Sequence, residues 1–389
     1  MKKSNFLIAT ALLVSPLAMA ASSQDGTGET DGYKLVWQDL FDANELNSQR
    51  WNIEVNGDGG GNNELQYYTD RAENVRLGDD GKGNGCLILT AKKEVYGGRQ
   101  ATSGRITSKN KIAFKHGKIE AAIKLPKTAN GLWPAFWMMG NDYDQVGWPR
   151  CGETDIMEFG NATGIKNGTQ DRYFNGACHW GQSWENHPNY ARAVTYQYSL
   201  QDDEFHIYTL IWDEEKVAMY VDLDKYPDAE PYYIMTIPAT NDTNSPGYYF
   251  HKENFILFNL AVGGNFPGIW DINQITALNE SNGYQASMYV NYVKIYQKGT
   301  ADESSSFLDK GDMGDAGVET VAAGLDMNYN GKMLNFSDKA DVVVYDIAGK
   351  MVASHKAVDA VSVAGFVPGI YVVKAVCNGK QLVEKIVCK

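Results

Sequence analysis

From about Tyr33 to Gln297 the chain alternates apolar and polar residues in short runs, separated by clusters of Gly, Asn and Asp. The runs Lys118–Leu125, Phe205–Trp212, Val217–Asp222 and Met288–Tyr296 each carry the period of two that places one side-chain face inward and the other outward on a strand. Asp213-Glu214-Glu215 separates two of them in the manner of a turn. No sustained 3.6-residue apolar stripe interrupts the pattern. Short alternating strands with turn signals between them predict an all-β sandwich or barrel.

The character changes at residues 298–320, where Asp302-Glu303-Ser304-Ser305-Ser306 is followed by Gly311, Gly314 and Gly317 among acids, the composition of a solvated linker. Residues 321–389 then return to strand-like runs at Val342–Asp346, Gly369–Lys374 and Leu382–Val387, with Asn378-Gly379 as a hairpin turn. At the other end, Lys2 and Lys3 precede an apolar stretch from Phe6 to Leu17 and the small residues of Ala18-Met19-Ala20. That layout predicts a secretory signal peptide over residues 1–20, too short to span a bilayer. All nine tryptophans fall between Trp37 and Trp270, so flat apolar surface for a ligand is concentrated in the large domain, residues 33–297.

A net charge of −13 and a pI near 5.0 argue against nucleic acid as a partner, because phosphate binding needs clustered Lys and Arg. The five cysteines match no zinc spacing and are too sparse for a disulfide framework. Gly57–Gly61 is glycine-rich but leads into a strand-like segment, whereas a phosphate cradle needs a helix there. No cofactor is expected.

The chemistry concentrates in Gly152-Glu153-Thr154-Asp155-Ile156-Met157-Glu158-Phe159-Gly160. Alternation puts Glu153 and Asp155 on one face, but would put Met157 there next and turn Glu158 away. One extra residue at Ile156-Met157, a β-bulge, returns Glu158 to the acidic face, and bulges favour sites where a side chain must be re-aimed. The two Glu Cα atoms are then about 13 Å apart along the strand. Side chains leaning inward bring their carboxyl groups to roughly 5–6 Å, the separation suited to a retaining rather than an inverting glycosidase. In such a pair one carboxylate attacks the anomeric carbon while the other, protonated, assists the leaving group. Three spaced acids alone also fit a cation-binding strand or a solvated face, and their flanks decide between these.

With those flanks the large domain resembles glycoside hydrolase family 16 in its laminarinase-like branch. The likeness rests on Glu-x-Asp-x-x-Glu at Glu153, Asp155 and Glu158, on Trp37-Gln38-Asp39, Gly61–Thr69, Phe114–Glu120, Gly131–Trp137, His179-Trp180 and Asn259–Asn265. It implies a β-jelly-roll of two curved antiparallel sheets with a glycan cleft. It also implies Glu153 as nucleophile, Asp155 as its assistant and Glu158 as acid/base. Trp133 and Trp137 are then cleft-lining aromatics, and Asn63, Glu64, Arg105, His179 and Trp180 contacts near the cleavage point. Pyranose rings present apolar C–H faces that flat side chains cover. Leu40 and Asn291 stand where many relatives carry acids of a structural calcium site, and losing both carboxylates weakens a hard-cation site. Phe266 replaces a Trp common among relatives.

The C-terminal segment resembles the sorting domain read by the type IX secretion machinery, through Val344–Lys350, Pro368–Lys374 and the basic final strand. An accessory β-domain or carbohydrate-binding module is the alternative. The expected protein is thus a secreted or cell-surface monomer. It hydrolyses β-1,3-glucan or mixed-linkage β-1,3-1,4-glucan internally, with retention. The competing expectations are action on another glycan such as a galactan, and a non-catalytic glycan-binding sandwich.

Overall fold

The computed structural model describes residues 32–313, 327–329, 331–346, 350–377 and 380–388. The signal-peptide residues 1–20, the turn residues Asn378-Gly379 and the linker from 314 to 320 lie outside them. The chain divides into two compact units, with the boundary between Asp309 and Lys310.

The first unit is a two-sheet β-structure, as the alternation predicts. Ten strands form one sheet, built around Gly117–Lys124, His206–Trp212 and the thirteen-residue Gln285–Gln297. Nine form the other, in the order Asn189–Thr195, Tyr173–His179, Glu153–Phe159, Leu132–Gly140, Asn254–Val262, Arg105–Thr107 and Asn52–Ile53, with Ile112–Lys115 also paired to Asn254–Val262 and Ser304–Phe307 paired to Ile112–Lys115. Inward-facing residues of both sheets make one core. Phe159 of the nine-stranded sheet stacks on Phe174 at 4.9 Å and meets Tyr208 of the ten-stranded sheet edge-on at 6.5 Å. The predicted turn at Asp213 closes the hairpin between His206–Trp212 and Lys216–Val221, its carboxylate accepting from the backbone N–H of Glu215 and Lys216. Two helical segments that the apolar pattern does not show, Tyr143–Val146 and Ala162–Asn167, occupy connections.

Asn254–Val262 is buried at every position. One face joins the core, while on the other Phe255 and Leu257 pack in a second apolar cluster with Met139 and Cys151 and Asn259 is hydrogen-bonded to Trp137, so the strand reads as a nearly continuous apolar run rather than an alternating one.

The expected linker begins too early. Ser304–Phe307 pairs with Ile112–Lys115, Phe307 packs on Trp37 at 6.2 Å, and Asp309 holds Arg50 in an ion pair of 2.5 Å. The serine-rich composition is that of a solvent-facing edge strand, which hydropathy alone does not separate from a linker. The second unit is a five-stranded antiparallel sheet with its own core of Leu334, Val342, Val344, Val361, Val373 and Ile386. Its last two strands pair directly, Cys377 with Lys380. All five cysteines are thiols.

Phe159 joins the acidic strand to the opposite sheet, so truncating it leaves a cavity directly behind the site. Phe159→Ala should lower unfolding free energy by about 3–5 kcal/mol in chemical denaturation. A loss under about 1 kcal/mol would mean that the strand is not held from behind in this way.

Candidate active site

The bulge predicted from the acid spacing is present. On one side Phe136 pairs with Met157 and Trp137 with Asp155; on the other Ala177 pairs with Asp155 and Asn175 with Glu158, so both ladders skip at Ile156-Met157. Both bulge side chains are fully buried in the core. The carbonyl of Ile156 accepts a hydrogen bond from the Tyr232 hydroxyl. A buried backbone acceptor in an irregular ladder therefore has a partner from a segment adjoining the other sheet. The strand ends at Gly160, φ +96°, where a Cβ would collide with the Leu132 carbonyl oxygen.

With the bulge in place Glu153, Asp155 and Glu158 share one face, opposite the buried Thr154 and Phe159. Neighbouring strands supply the surroundings by register. His179 stands beside Glu153, Ala177 beside Asp155 and Asn175 beside Glu158. On the far side, Met139, Trp137 and Ala135 stand in the same order. His179 Nε2 lies 3.5 Å from Asp155 Oδ2 and 3.9 Å from Glu153 Oε1. Trp133 donates its indole N–H to Glu158 Oε1 at 3.0 Å and stacks on Phe266, ring centroids 4.7 Å apart and 15° from parallel. The indole N–H of Trp148 favours the charged form of Glu153.

These carboxyl groups are poorly solvated, and their proton affinities rise accordingly. Burial pushes Glu153 up to about 7, opposed by the Trp148 hydrogen bond and the positive charge of Arg105. Burial, then the negative charge of Glu153, push Glu158 up to about 8 against the Trp133 hydrogen bond. Asp155 is raised well above the ordinary carboxylate range by burial and by the charges of both glutamates. His179 is driven down to about 4, by burial first and by His187 second, so it is neutral at neutral pH. Of the two glutamates Glu153 lies lower, and its charge helps to keep a proton on Glu158.

The other expected contacts divide. Trp137 faces the site, with the Arg105 guanidinium 4.9 Å over its ring and its indole N–H bonded to Asn259 Oδ1 at 2.7 Å. Arg105 is ion-paired to Glu54 at 3.2 Å. Asn63 is exposed, φ +57°, and donates to Asn265 Oδ1, which also accepts from the exposed Trp270. Glu64 is not on the cleft surface. It is buried, accepting from Gln66 at 2.6 Å and from the Tyr68 hydroxyl at 3.2 Å. Asn259 donates to that same hydroxyl at 3.3 Å, so Glu64 is the far end of a chain that orients Trp137. Trp180 also departs from expectation. It is buried in the core, edge-on to Phe250, with its N–H on the Asn244 carbonyl. It follows the last residue of its strand, and the chain turns it inward.

Trp148, Asn175 and Asn259 are absent from the expected set. Asn175 shares the 175-177-179 face with His179, a signal the alternation contains, and its buried Oδ1 has no hydrogen-bond partner. Trp148 sits in a loop with no periodicity to place it. It leads into an exposed aromatic cluster, 4.8 Å from both Trp184 and His187. At the position expected to lose calcium affinity, Asn291 donates its amide to the Gly85 carbonyl at 2.8 Å. A neutral amide beside a carbonyl is a weak donor set for a hard cation.

A β-sandwich bearing a bulged row of buried acids between tryptophans has the frame of an enzyme that cleaves glycans. Comparisons agree. Residues 63–238 match the model of glycosyl hydrolases family 16. A structure described as a Bacteroides ovatus mixed linkage glucan GH16 in complex with G4G4G3G product is 41% identical, with a TM-score of 0.58, over 67% of this chain and all of that one. A beta-glucanase of Rhodothermus marinus is 30% identical over 76% of this chain and 97% of its own. The glucan endo-1,3-beta-glucosidase A1 of Niallia circulans is 32% identical over 69% of this chain, which spans 38% of that longer relative. The chain belongs to glycosyl hydrolases family 16. Residues 328–389 match the secretion system C-terminal sorting domain, and the protein is secreted, to the cell surface or beyond it.

Removing the charge of Arg105 or the hydrogen bond of Trp133 should destabilise an ionised carboxylate in each case. Arg105→Gln should raise the pKa of Glu153, and Trp133→Phe that of Glu158, as followed by carbon-13 NMR of labelled glutamate. A fall in either value would contradict the electrostatics described.

Proposed function

We propose that the protein hydrolyses β-1,3-glucan and mixed-linkage β-1,3-1,4-glucan internally, as a monomer and with retention of anomeric configuration. The observation that carries this reading is the bulged strand, which sets Glu153, Asp155 and Glu158 on one face in environments of different proton affinity. Support for the substrate class comes from the Bacteroides and Rhodothermus relatives.

In the first step the Glu153 carboxylate attacks the anomeric carbon as the glycosidic C–O bond breaks, and Glu158 gives its proton to the departing oxygen. A glycosyl ester on Glu153 results. In the second step Glu158, now ionised, takes a proton from water as the water oxygen attacks the same carbon and the ester bond breaks. Both starting protonation states are restored. Asp155, raised above the ordinary range by burial and by the charges of both glutamates, lies between them on the same face and can hydrogen-bond and orient the neighbouring carboxylate. Trp133 supports the ionised form of Glu158 that the second step requires, and its stacked ring pair with Phe266 gives a sugar face a flat apolar surface.

The free enzyme must hold Glu153 ionised and Glu158 protonated. Activity, as kcat/KM, should therefore rise through a limb near pH 7 as Glu153 loses its proton and fall through a limb near pH 8 as Glu158 loses its own. A profile flat across that range would contradict the pair of roles.

Product analysis tests the reaction itself. Laminarin and mixed-linkage glucan should give short oligosaccharides whose first-formed reducing ends are β by proton NMR, with pure β-1,4-glucan untouched. First-formed α-anomers would overturn retention. Glu158→Gln should lower kcat by about 10²–10⁴-fold, and Glu153→Gln should abolish turnover while leaving the fold intact. Inactivity of the unaltered protein on both glucans would favour another glycan, or binding alone.

A further inference from the structure

Trp184 stands near the tip of the loop that joins Tyr173–His179 to Asn189–Thr195, with 58% of its surface exposed. Single exposed aromatics are ordinary on a protein surface. What distinguishes Trp184 is where its ring is held. The base of the loop is fixed: the Trp180 N–H donates to the Pro188 carbonyl at 3.1 Å. Gly181 has φ +131°, and a Cβ there would collide with the Asn186 carbonyl oxygen. Arg150 donates to the Gln182 carbonyl at 2.6 Å, and the Gln182 amide donates to the Tyr249 hydroxyl. A turn closed by the Asn186 N–H on the Ser183 carbonyl then presents Trp184.

The ring lies 4.8 Å from that of Trp148 and 5.6 Å from that of His187. Trp148 borders His179 at 6.4 Å, and His179 Nε2 lies 3.5 Å from Asp155. A string of aromatic rings therefore leads from the carboxylate row out to Trp184. Beyond Trp184 stands Gly61, where a Cβ would lie 3.8 Å from the Cη2 atom of the indole, in van der Waals contact.

Gly61 ends the glycine-rich segment that the hydrolytic steps leave unused, and that segment rests on the other side of the site. A Cβ at Gly60 would collide with the Glu64 carboxylate, and the Asn62 carbonyl accepts from the Asn265 N–H at 2.8 Å. Glu64 is the end of the chain that runs through Tyr68 and Asn259 to Trp137. Between the strand of His179 and the strand of Asn259 lie the acidic strand and the strand of Trp133 and Trp137. The contact of Trp184 with Gly61 thus joins loops from both sides of the acids, across three strand spacings or about 14 Å.

On the reading of the protein as a glucan hydrolase, we infer that Trp184 is a glucan-binding residue. Its ring closes over a glucose unit in the carboxylate row from the solvent side, with Trp148 behind it and Gly61 facing it. A flat indole matches the apolar C–H face of a pyranose. An internal stretch of polymer has no end to thread beneath this contact. The ring therefore parts from Gly61 to admit the chain and returns to hold it.

The test uses the full chain. On mixed-linkage glucan, Trp184→Ala should raise KM about 3–10-fold with kcat changed less than about twofold. Trp184→Phe, which keeps a flat ring, should recover most of that loss. Hydroxyl-radical footprinting read by peptide mass spectrometry follows the ring itself. In Glu153→Gln a mixed-linkage oligosaccharide should lower the oxidation of Trp184 and leave that of Tyr226, exposed beyond Lys216–Val221, unchanged. An unaltered KM in Trp184→Ala, in a chain that cleaves the glucan, would overturn the inference and leave the functional reading standing. A raised KM with no protection of the ring would also overturn it, making Trp184 a prop for Trp148. Inactivity of the unaltered chain, with no binding by Glu153→Gln, would overturn both.

Discussion

One unpaired residue in one strand brings Glu158 onto the face that Glu153 and Asp155 already share. Without the extra residue at Ile156-Met157, strict alternation would bury Glu158 in the core and present Met157 to the cleft. Either change is costly, because an unpaired carboxyl among Phe159, Phe174 and Tyr208 would be desolvated without a partner. The core therefore enforces the bulge from behind, through two fully buried side chains and the hydroxyl of Tyr232 on the freed carbonyl. The arrangement of the three acids is a consequence of packing on the opposite face.

Burial then sorts the carboxyl groups. All three are raised by desolvation, and what separates Glu153 from Glu158 is the direction of their neighbours. Arg105 and Trp148 favour the charged form of Glu153, while Glu158 faces the charge of Glu153 with one indole N–H in compensation. Arg105 reaches this position because it is in register with Asn259, over the ring of Trp137, and paired to Glu54. The chain from Trp137 through Asn259 and Tyr68 to Glu64 stiffens the same wall. Preorganised charge and orientation of this kind supply much of an enzyme's rate.

The all-β class, the two-part chain and the bulged acidic strand were legible in the residues, because each is a matter of period and spacing. Positions fixed by register were partly legible, and Asn175 follows from the face of His179 once the strand is drawn. Glu64 and Trp180 were not. Their motif neighbours suggested the cleft, but inward direction at a strand end or in a loop depends on tertiary partners, Tyr68 for one and Phe250 for the other. Trp148 lies in a loop that no period describes. The serine-rich strand at 304–307 illustrates a further limit, since an edge strand and a linker share a composition and differ only in whether a partner edge is nearby.

The central claim is that the bulge gives Glu153 and Glu158 distinct roles, one forming a bond to sugar and the other moving a proton. The most direct measurement is to trap the intermediate with an activated 2-deoxy-2-fluoro derivative of a mixed-linkage oligosaccharide, then locate the adduct by peptide mass spectrometry. The account predicts one equivalent of label on Glu153, lost on adding an acceptor sugar. Label on Glu158, or turnover of the reagent with no covalent adduct at any concentration, would contradict it.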